Sequence, residues 1–447
     1  MNNVTTRMAP SPTGKFHVGS ARTALFSYLF GKHHGGKFIL RIEDTDKERS
    51  KPEFETNIIE SFEWLGLKYD EFYRQSERTE IYKEQLKKLI DSGAAYVSSA
   101  EEEEAIAEKN KLPNAKASTE GKRSSVIRFK NPNTKIKFQD VILGEIEIDS
   151  TDLGDFVIAK DLETPLFHLT VVIDDGLMGI SHVIRAQEHL ANTPRQILIL
   201  EALGFARPIY AHIPLVLAPD KTKLSKRHGA TALLDFRDMG YLPEAVLNFL
   251  AFLGWNPGTE QEMFTLDELI KEFSLEKVQK SGGVFNMDKL NWFNKEYIKK
   301  MPQDLLISEI QKFLDWPKDM IVRAKDALIE RINKFSDLQD EVEFGFYKNL
   351  PDYSADSLIW KKSDKEKTLV HLEKMKEMLS NADFSSIDSI KASVWDYVEA
   401  NGKGDVLWPT RFALSGKEKS PDPFALAYIF GKEETLRRIQ VATEKLK

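Results

Sequence analysis

Residues 4–43 read VTTRMAPSPTGKFHVGSARTALFSYLFGKHHGGKFILRIE, and the order of elements in this stretch decides the fold of the first half of the chain. Val4 to Met8 is a short strand candidate. The run Pro10-Ser11-Pro12-Thr13-Gly14 cannot continue it, because proline removes a backbone donor and the run is turn-forming. Ala21, Ala24, Leu25, Tyr28 and Leu29 then recur at helical spacing until Gly35-Gly36 ends the pattern. Lys37 to Glu43 follows as a second strand. Strand, helix, strand is a βαβ unit, which implies parallel strands with the helix packed across them.

Outward from this unit, Phe54, Ile58, Phe62 and Leu65 mark a helix that stops near Gly66, and Tyr82, Leu86, Leu89 and Ile90 mark another that stops near Gly93. From about Tyr96 the texture changes. A polar stretch with Pro113, Asn114 and Gly121 gives way to short alternating runs at Val126 to Phe129, Lys135 to Phe138, Val141 to Ile148 and Phe156 to Ala159. These runs predict an inserted, β-rich module. Apolar patterns resume at Phe167 to Ile173 and Ile197 to Leu203, as a return to the first sheet, and from about Ala230 nearly every segment is helical in pattern. The expected architecture is an interrupted α/β domain followed by an extended helical half.

Composition narrows the class. The 447 residues include no cysteine, which excludes a disulfide-stapled fold, a cysteine nucleophile and any cysteine-ligated zinc or iron–sulfur site. With 41% hydrophobic and 30% charged residues the chain can bury ordinary cores. No apolar run approaches the roughly 20 residues that span a bilayer, and MNNVTTRMAPSP has neither signal nor transit character. A cytoplasmic protein without a membrane partner is expected. The net charge of −7, from 70 acidic and 63 basic residues, speaks against coating nucleic acid by charge alone, but a local basic patch can still act. The acidic run Glu101 to Glu104 reads as a solvated helix start.

Two constellations carry chemistry. The first is the loop-to-helix junction Ala9 to Gly19. A loop leaving the carboxyl end of a parallel strand and entering a helix aims unpaired N–H groups and partial positive charge outward, which suits an anion. Gly14 and Gly19 permit close backbone approach, and His17 at the helix entrance can either cap the helix or donate to a phosphate oxygen. The second is Lys221-Thr222-Lys223-Leu224-Ser225-Lys226-Arg227-His228-Gly229, a short basic loop. Alone it reads as a solvated surface loop. Combined with the first, it suits a nucleoside triphosphate that must lose pyrophosphate, since cations matter most where charge moves onto a leaving group. No GxxxxGK[ST] pattern is present, so this is not a P-loop site.

The stretch Arg7 to Gly19, with Ala21-Arg22-Thr23-Ala24-Leu25 after it, resembles the HIGH region of the class I aminoacyl-tRNA synthetases, and specifically the bacterial-type glutamyl-tRNA synthetases. Lys223-Leu224-Ser225-Lys226-Arg227 resembles their KMSKS loop. Arg41 to Asp46, Asp174-Asp175, Val183 to His189 and the tail Gly431 to Arg438 resemble further family segments in the family's order. The resemblance implies a class I Rossmann-like catalytic domain with an inserted α+β acceptor-binding module and an all-α anticodon-binding half. It implies catalytic domain at residues 1–95 and 166–230, insertion at 96–165, a helical stem-contact domain at 231–302 and an anticodon-binding domain at 303–447.

The implied reaction has two steps: glutamate and Mg-ATP give glutamyl-adenylate and pyrophosphate, and a ribose hydroxyl of the terminal tRNA adenosine then takes the glutamyl group. By resemblance, His17, Lys223 and Lys226 stabilise the first transition state. Thr13, Gly19, Glu188, Ser225 and Lys226 bind ATP. Arg7, Ala9, Ser11, Glu43, Phe167 and Arg185 line the glutamate pocket, with Arg7 on the side-chain carboxylate, Glu43 on the α-ammonium and Arg185 as a second cationic contact. The charge set is complementary to glutamate, whereas glutamine would leave a buried arginine facing a neutral amide. The partners implied are L-glutamate and tRNA(Glu), with tRNA(Gln) an open alternative, and the expected state is a monomer.

Two positions depart from the family pattern. Phe167 stands where many members carry a tyrosine, and Tyr96 is followed by Val97, Ser98 and Ser99 where some relatives hold zinc with cysteines, so no zinc is expected. Trp255, Trp292 and Trp408 are expected to pack in cores or between helices. The shortened relative that charges a modified tRNA base lacks the helical half, and glutaminyl-tRNA synthetase is disfavoured by Glu43-Asp44-Thr45-Asp46 and the context of Arg7. A catalytically dead paralogue would be expected to lack His17 or the lysine loop, and both are present.

Overall fold

In the computed structural model the described residues are 4–109, 125–225, 231–361 and 363–447; Lys226 and the rest of the basic loop through residue 230 lie outside them. The chain divides into two units, Met1–Phe293 and Asn294–Lys447.

The first unit begins as the sequence pattern implies. Strand β1 (Thr5–Met8), helix α1 (Val18–His33) and strand β2 (Lys37–Ile42) form a βαβ unit, with β1 and β2 parallel and Arg7 opposite Ile39. Helix α1 is buried along nearly its whole length from Val18 to Gly31, as expected of a helix covered on several sides. Helix α2 (Pro52–Leu65) stops where Gly66 takes φ 68°, a left-handed turn that glycine enters without steric cost. It leads to β3 (Glu71–Arg74), parallel to β2, and then to α3 (Thr79–Asp91).

The stretch 96–165 is less separate than its texture suggests. Strands β4 (Ala95–Ser98), β5 (Val126–Phe129) and β8 (Phe156–Ala159) do make a small antiparallel sheet, and α4 (Ala100–Lys109) starts with Glu101, Glu102 and Glu104 exposed. But β6 (Lys135–Asp140) and β7 (Gly144–Asp149) form a hairpin that joins strands following the stretch. After α5 (Phe167–Leu177), β9 (His182–Ala186) and α6 (Thr193–Ala202), strand β10 (Ile209–Ile213) pairs in parallel with both β9 and β6, giving the order β7-β6-β10-β9. One apolar core runs continuously through Ile39, Leu86, Ile127, Phe138, Ile173 and Tyr210. The expected strand at Val141 to Ile148 starts only at Gly144, because Asp140 Oδ1 accepts the N–H groups of Ile142 and Leu143 and folds those residues into a turn.

Ser181 N–H donates to Thr5 O at 3.0 Å, so the start of β9 meets the start of β1 and the two parallel sheets adjoin there. The unit closes with β11 (Val216–Leu217), α7 (Leu233–Asp238), α8 (Pro243–Phe252), α9 (Leu266–Glu272), β12 (Gly283–Val284) and α10 (Met287–Lys300), which runs past the unit boundary. Trp255 is buried, as expected. Trp292 is not: it is 39% exposed, with the Lys289 ammonium 4.3 Å from its ring centre, so it is a surface aromatic and not a core residue.

The second unit is helical, from α11 (Gln303–Phe313) through α12 (Lys318–Ile329), α13 (Glu341–Lys348), α14 (Lys365–Ser380), α15 (Ile387–Asn401) and α16 (Lys403–Ser415) to α17 (Pro423–Lys445). Trp408 packs between helices and donates from Nε1 to Ser357 O. Gly431, at φ 76°, breaks the path of α17 and turns its second half inward. That turn delivers Arg438, fully buried, against Phe346 O and Leu414 O at 2.8 and 2.6 Å, with its guanidinium 3.9 Å from the Phe430 ring centre. The tail motif is therefore a structural clasp. Arg438→Ala should cost the second unit about 3 kcal/mol, because it strands buried carbonyls; the check is its urea midpoint by tryptophan fluorescence, and an unmoved midpoint would contradict the clasp.

Candidate active site

Strands β1 and β9 end at one cavity of about 780 Å³ in the first unit, the place where open parallel sheets bind ligands. Its wall includes Arg7, Ala9, Ser11, His17, Gly19, Glu43, Phe167, Arg185, Glu188, Lys223 and Ser225. Of the other sequence candidates, Lys226 is outside the described residues, and Thr13 is exposed and off the cavity wall, its N–H turned back to Ser11 O. Thr13 is thus not brought to the cavity; Pro12 and Pro10 instead accept from Lys51 and Glu43 N–H groups and hold the loop from behind.

His17 caps the helix: it is the N-cap of α1, and its Nδ1 accepts from Gly19 N and Ser20 N at 3.1 and 3.4 Å. An Nδ1 that accepts leaves the proton on Nε2, so the cap fixes the tautomer and Nε2–H becomes a donor at the cavity mouth, 3.3 Å from Ser20 Oγ. Surrounding protein lowers the His17 pKa, opposed by Glu188 and reinforced by Lys223, which keeps the ring neutral. The far end of the basic loop closes on the same spot: Val18 N–H donates to Thr231 O at 2.9 Å, and Leu233 N–H to Phe16 O at 2.8 Å. Lys223 pairs with Glu188, whose carboxyl is held below the ordinary range by that hydrogen bond.

The glutamate-pocket candidates Arg7 and Glu43 do not stand free. Arg7 donates to Asp175 from Nε and Nη2 at 3.2 Å each. Arg41, with no exposed surface, donates to Asp175 at 2.9 Å and to Glu43 at 3.0 Å, and lies 3.6 Å from Asp174. Asp174 in turn accepts from Arg78, Gln75 and Tyr82. Burial works against the charge on Arg41, but Asp175, Glu43 and Asp174 outweigh it and raise its pKa. Burial also disfavours the Asp175 carboxylate, and Arg7 and Arg41 more than offset it, so this carboxyl is held below its usual range. For Glu43 burial wins over Arg41 and Arg7, and its pKa rises to about 6.

Arg185 differs. Nη1 donates to Gln196 Oε1 at 2.7 Å, Nη2 to Thr193 Oγ1 at 2.8 Å and Nε to His212 Nε2 at 3.2 Å. Among the described residues these partners are neutral acceptors, and burial lowers its pKa to about 10, so it stays charged with no carboxylate bonded to it. Arg7 and Arg185 therefore differ: Arg7 is braced by Asp175, which it shares with Arg41, whereas Arg185 has no carboxylate bonded to it. Phe167 lines the wall at 37% exposure and offers no hydrogen bond.

Several contributors escaped the sequence reading. Asn57 Oδ1 accepts from Phe16 N at 2.8 Å and pins the loop, and Lys15 pairs with Asp235 at the cavity edge. Arg22, placed in a helical pattern, is buried on the cavity wall and donates to Leu253 O and Pro214 O. The available signal was a charged or amide residue inside an apolar pattern, as with Arg41 in KFILRI.

The chain resembles known proteins along its length. Residues 3–292 match the profile of the class I tRNA synthetases (E and Q), catalytic domain, and residues 286–443 match an anticodon binding domain. Glutamate–tRNA ligases of Desulforamulus reducens and Aquifex aeolicus are each 40% identical to the chain, covering 98% and 100% of it and 99% and 100% of their own length. A crystal structure of a glutamate tRNA ligase from Elizabethkingia meningosepticum, in complex with its amino acid, superposes with a TM-score of 0.88 at 34% identity over all of both chains. The chain belongs to the glutamate–tRNA ligase family.

Asp175→Asn removes the charge that Arg7 and Arg41 share. It should destabilise the first unit by about 3–5 kcal/mol, as expected when one partner of a buried ion cluster is neutralised. Differential scanning calorimetry reads this directly, and an unchanged first transition would mean that the cluster is not what holds these arginines.

Proposed function

We propose that the cavity activates L-glutamate on ATP and passes it to the 3′-terminal adenosine of tRNA(Glu). The observation that carries this reading is that one cavity wall holds both Arg185, charged and bonded to neutral groups, and Glu43, an acid. That pair suits a ligand with a carboxylate at one end and an ammonium at the other. Arg7, braced by Asp175, adds a second cation for the side-chain carboxylate, and Ala9, Ser11 and Phe167 complete the wall.

In the first step an oxygen of the glutamate α-carboxylate attacks the α-phosphorus of ATP, and the bond from that phosphorus to the bridging oxygen breaks. Negative charge collects on the departing pyrophosphate. His17 Nε2–H, the N-terminus of α1 at Gly19 and the ammonium of Lys223 supply donors and positive charge there. Lys223 must first leave Glu188, and Glu188, Ser225 and Lys226 then belong to the ATP side. Mg²⁺ enters bound to ATP as part of that co-substrate. In the second step a ribose hydroxyl of the terminal adenosine attacks the glutamyl carbonyl carbon and AMP leaves. Neither step uses a covalent enzyme intermediate, so positioning and charge stabilisation carry the catalysis.

On this reading residues 96–165 contact the acceptor stem, 231–302 the stem and 303–447 the anticodon, and the enzyme acts as a cytoplasmic monomer. Among the described residues no helix is long and apolar enough to cross a membrane. Side-by-side aminoacylation of tRNA(Glu) and tRNA(Gln) measures the range of acceptors.

Labelled pyrophosphate should exchange into ATP in the presence of glutamate and cognate tRNA. Exchange with glutamine but not glutamate overturns the substrate. Arg7→Ala should lower kcat/KM for glutamate by about 100-fold or more, the scale of a lost charge-assisted contact to a carboxylate; unchanged kinetics would remove Arg7 from the pocket.

A further inference from the structure

We propose that Asp140 and His212 are positioning residues for glutamate recognition: they aim the Arg185 guanidinium from the β6–β7 side of the sheet. This rests on the reading that Arg185 meets a glutamate carboxylate.

Asp140 and His212 are both fully buried, 72 residues apart in sequence. Asp140 ends β6, and its Oδ1 is fixed by the N–H groups of Ile142 and Leu143 at 3.0 and 2.8 Å. Its Oδ2 accepts from His212 N at 3.0 Å and faces His212 Nδ1 at 2.7 Å. On the other side of the ring, Arg185 Nε lies 3.2 Å from His212 Nε2. An arginine nitrogen can only donate, so Nε2 must present its lone pair, and the imidazole proton sits on Nδ1 and goes to Asp140. Burial keeps the ring neutral against the pull of Asp140. One tautomer of one histidine therefore connects the hairpin to the cavity wall.

The arrangement solves a specific problem. A carboxylate placed directly on Arg185 would hold its direction but also cancel the charge that a ligand carboxylate needs. A neutral imidazole, itself oriented by a carboxylate behind it, holds the direction without cancelling the charge. Thr193 and Gln196 fix two more N–H groups with neutral oxygens, which leaves the remaining donors of the five-donor fork for a ligand. Arg7 follows the other design, with Asp175 bonded to it directly.

The test is steady-state pyrophosphate exchange with the full-length enzyme and tRNA, varying glutamate and ATP separately. His212→Asn keeps a donor near the Nδ1 position but removes the acceptor for Arg185. His212→Gln restores an acceptor near the Nε2 position. The Asn variant should raise the glutamate KM about tenfold or more while the ATP KM moves less than about twofold, and the Gln variant should recover to within about threefold of the native value. If the Asn variant does not fold, Asp140→Asn, which disturbs the tautomer from behind, should show the same split. Equal changes in both KM values, or an unmoved glutamate KM, overturn the proposal. Arg185→Ala separates the two claims. If it leaves the glutamate KM unchanged, the role of Arg185 falls; if it raises the KM while the His212 and Asp140 variants do not, only the positioning role falls.

Discussion

The site depends on one guanidinium that has no contact with water. Arg41 is buried completely, and a buried cation is costly unless opposite charges or hydrogen bonds compensate it; at Arg41 carboxylates do so. Those carboxylates are Asp175, Glu43 and Asp174, and they reach beyond Arg41 to hold Arg7 and Arg78. Three guanidinium groups and three carboxylates thus form one cluster that reaches the cavity wall through Arg7 and Glu43. Removing any member leaves a charge without its partner, so the cluster is rigid for electrostatic reasons, and the geometry presented to the ligand is inherited from it.

The cluster also sets the division of labour around it. Arg7 is oriented by a carboxylate that it shares with Arg41. Arg185 is oriented by neutral groups and keeps its charge. Glu43 is near balance, since burial raises its pKa to about 6 against the arginines, and a ligand ammonium would tip it toward the carboxylate. At the opposite end of the cavity the chemistry belongs to backbone and tautomer. His17 caps α1 with Nδ1, which leaves the proton on Nε2 beside Ser20 Oγ at the helix N-terminus.

Much of this was legible in the linear chain because its signals are local. Proline and glycine punctuate residues 10–14 and 35–36, and the helical spacing of Ala21 to Leu29 lies between them, so the βαβ unit and its loop could be read directly. What could not be read is pairing across distance. Nothing near Asp140 indicates that its carboxylate will lie under His212, and nothing in the alternation of Lys135 to Asp149 indicates that this hairpin will join the catalytic sheet. Thr13 sits within the readable loop yet is exposed and off the cavity wall, because a spacing pattern does not fix side-chain direction in a turn. Trp292 lies at helical spacing and stays exposed, because a hydrophobic pattern does not say which face finds a partner.

Burial opposed by the arginines of the cluster leaves Glu43 near balance, and a ligand ammonium would complete its ionisation. Calorimetric titration of the enzyme with glutamate, in buffers of different ionisation enthalpy, counts the protons exchanged on binding. With a Glu43 pKa of about 6, roughly half a proton should be released per glutamate bound at pH 6, falling toward zero at pH 8 and absent at both in Glu43→Gln. Glutamate binding at pH 6 with no proton release, or with release unchanged in Glu43→Gln, would contradict the account.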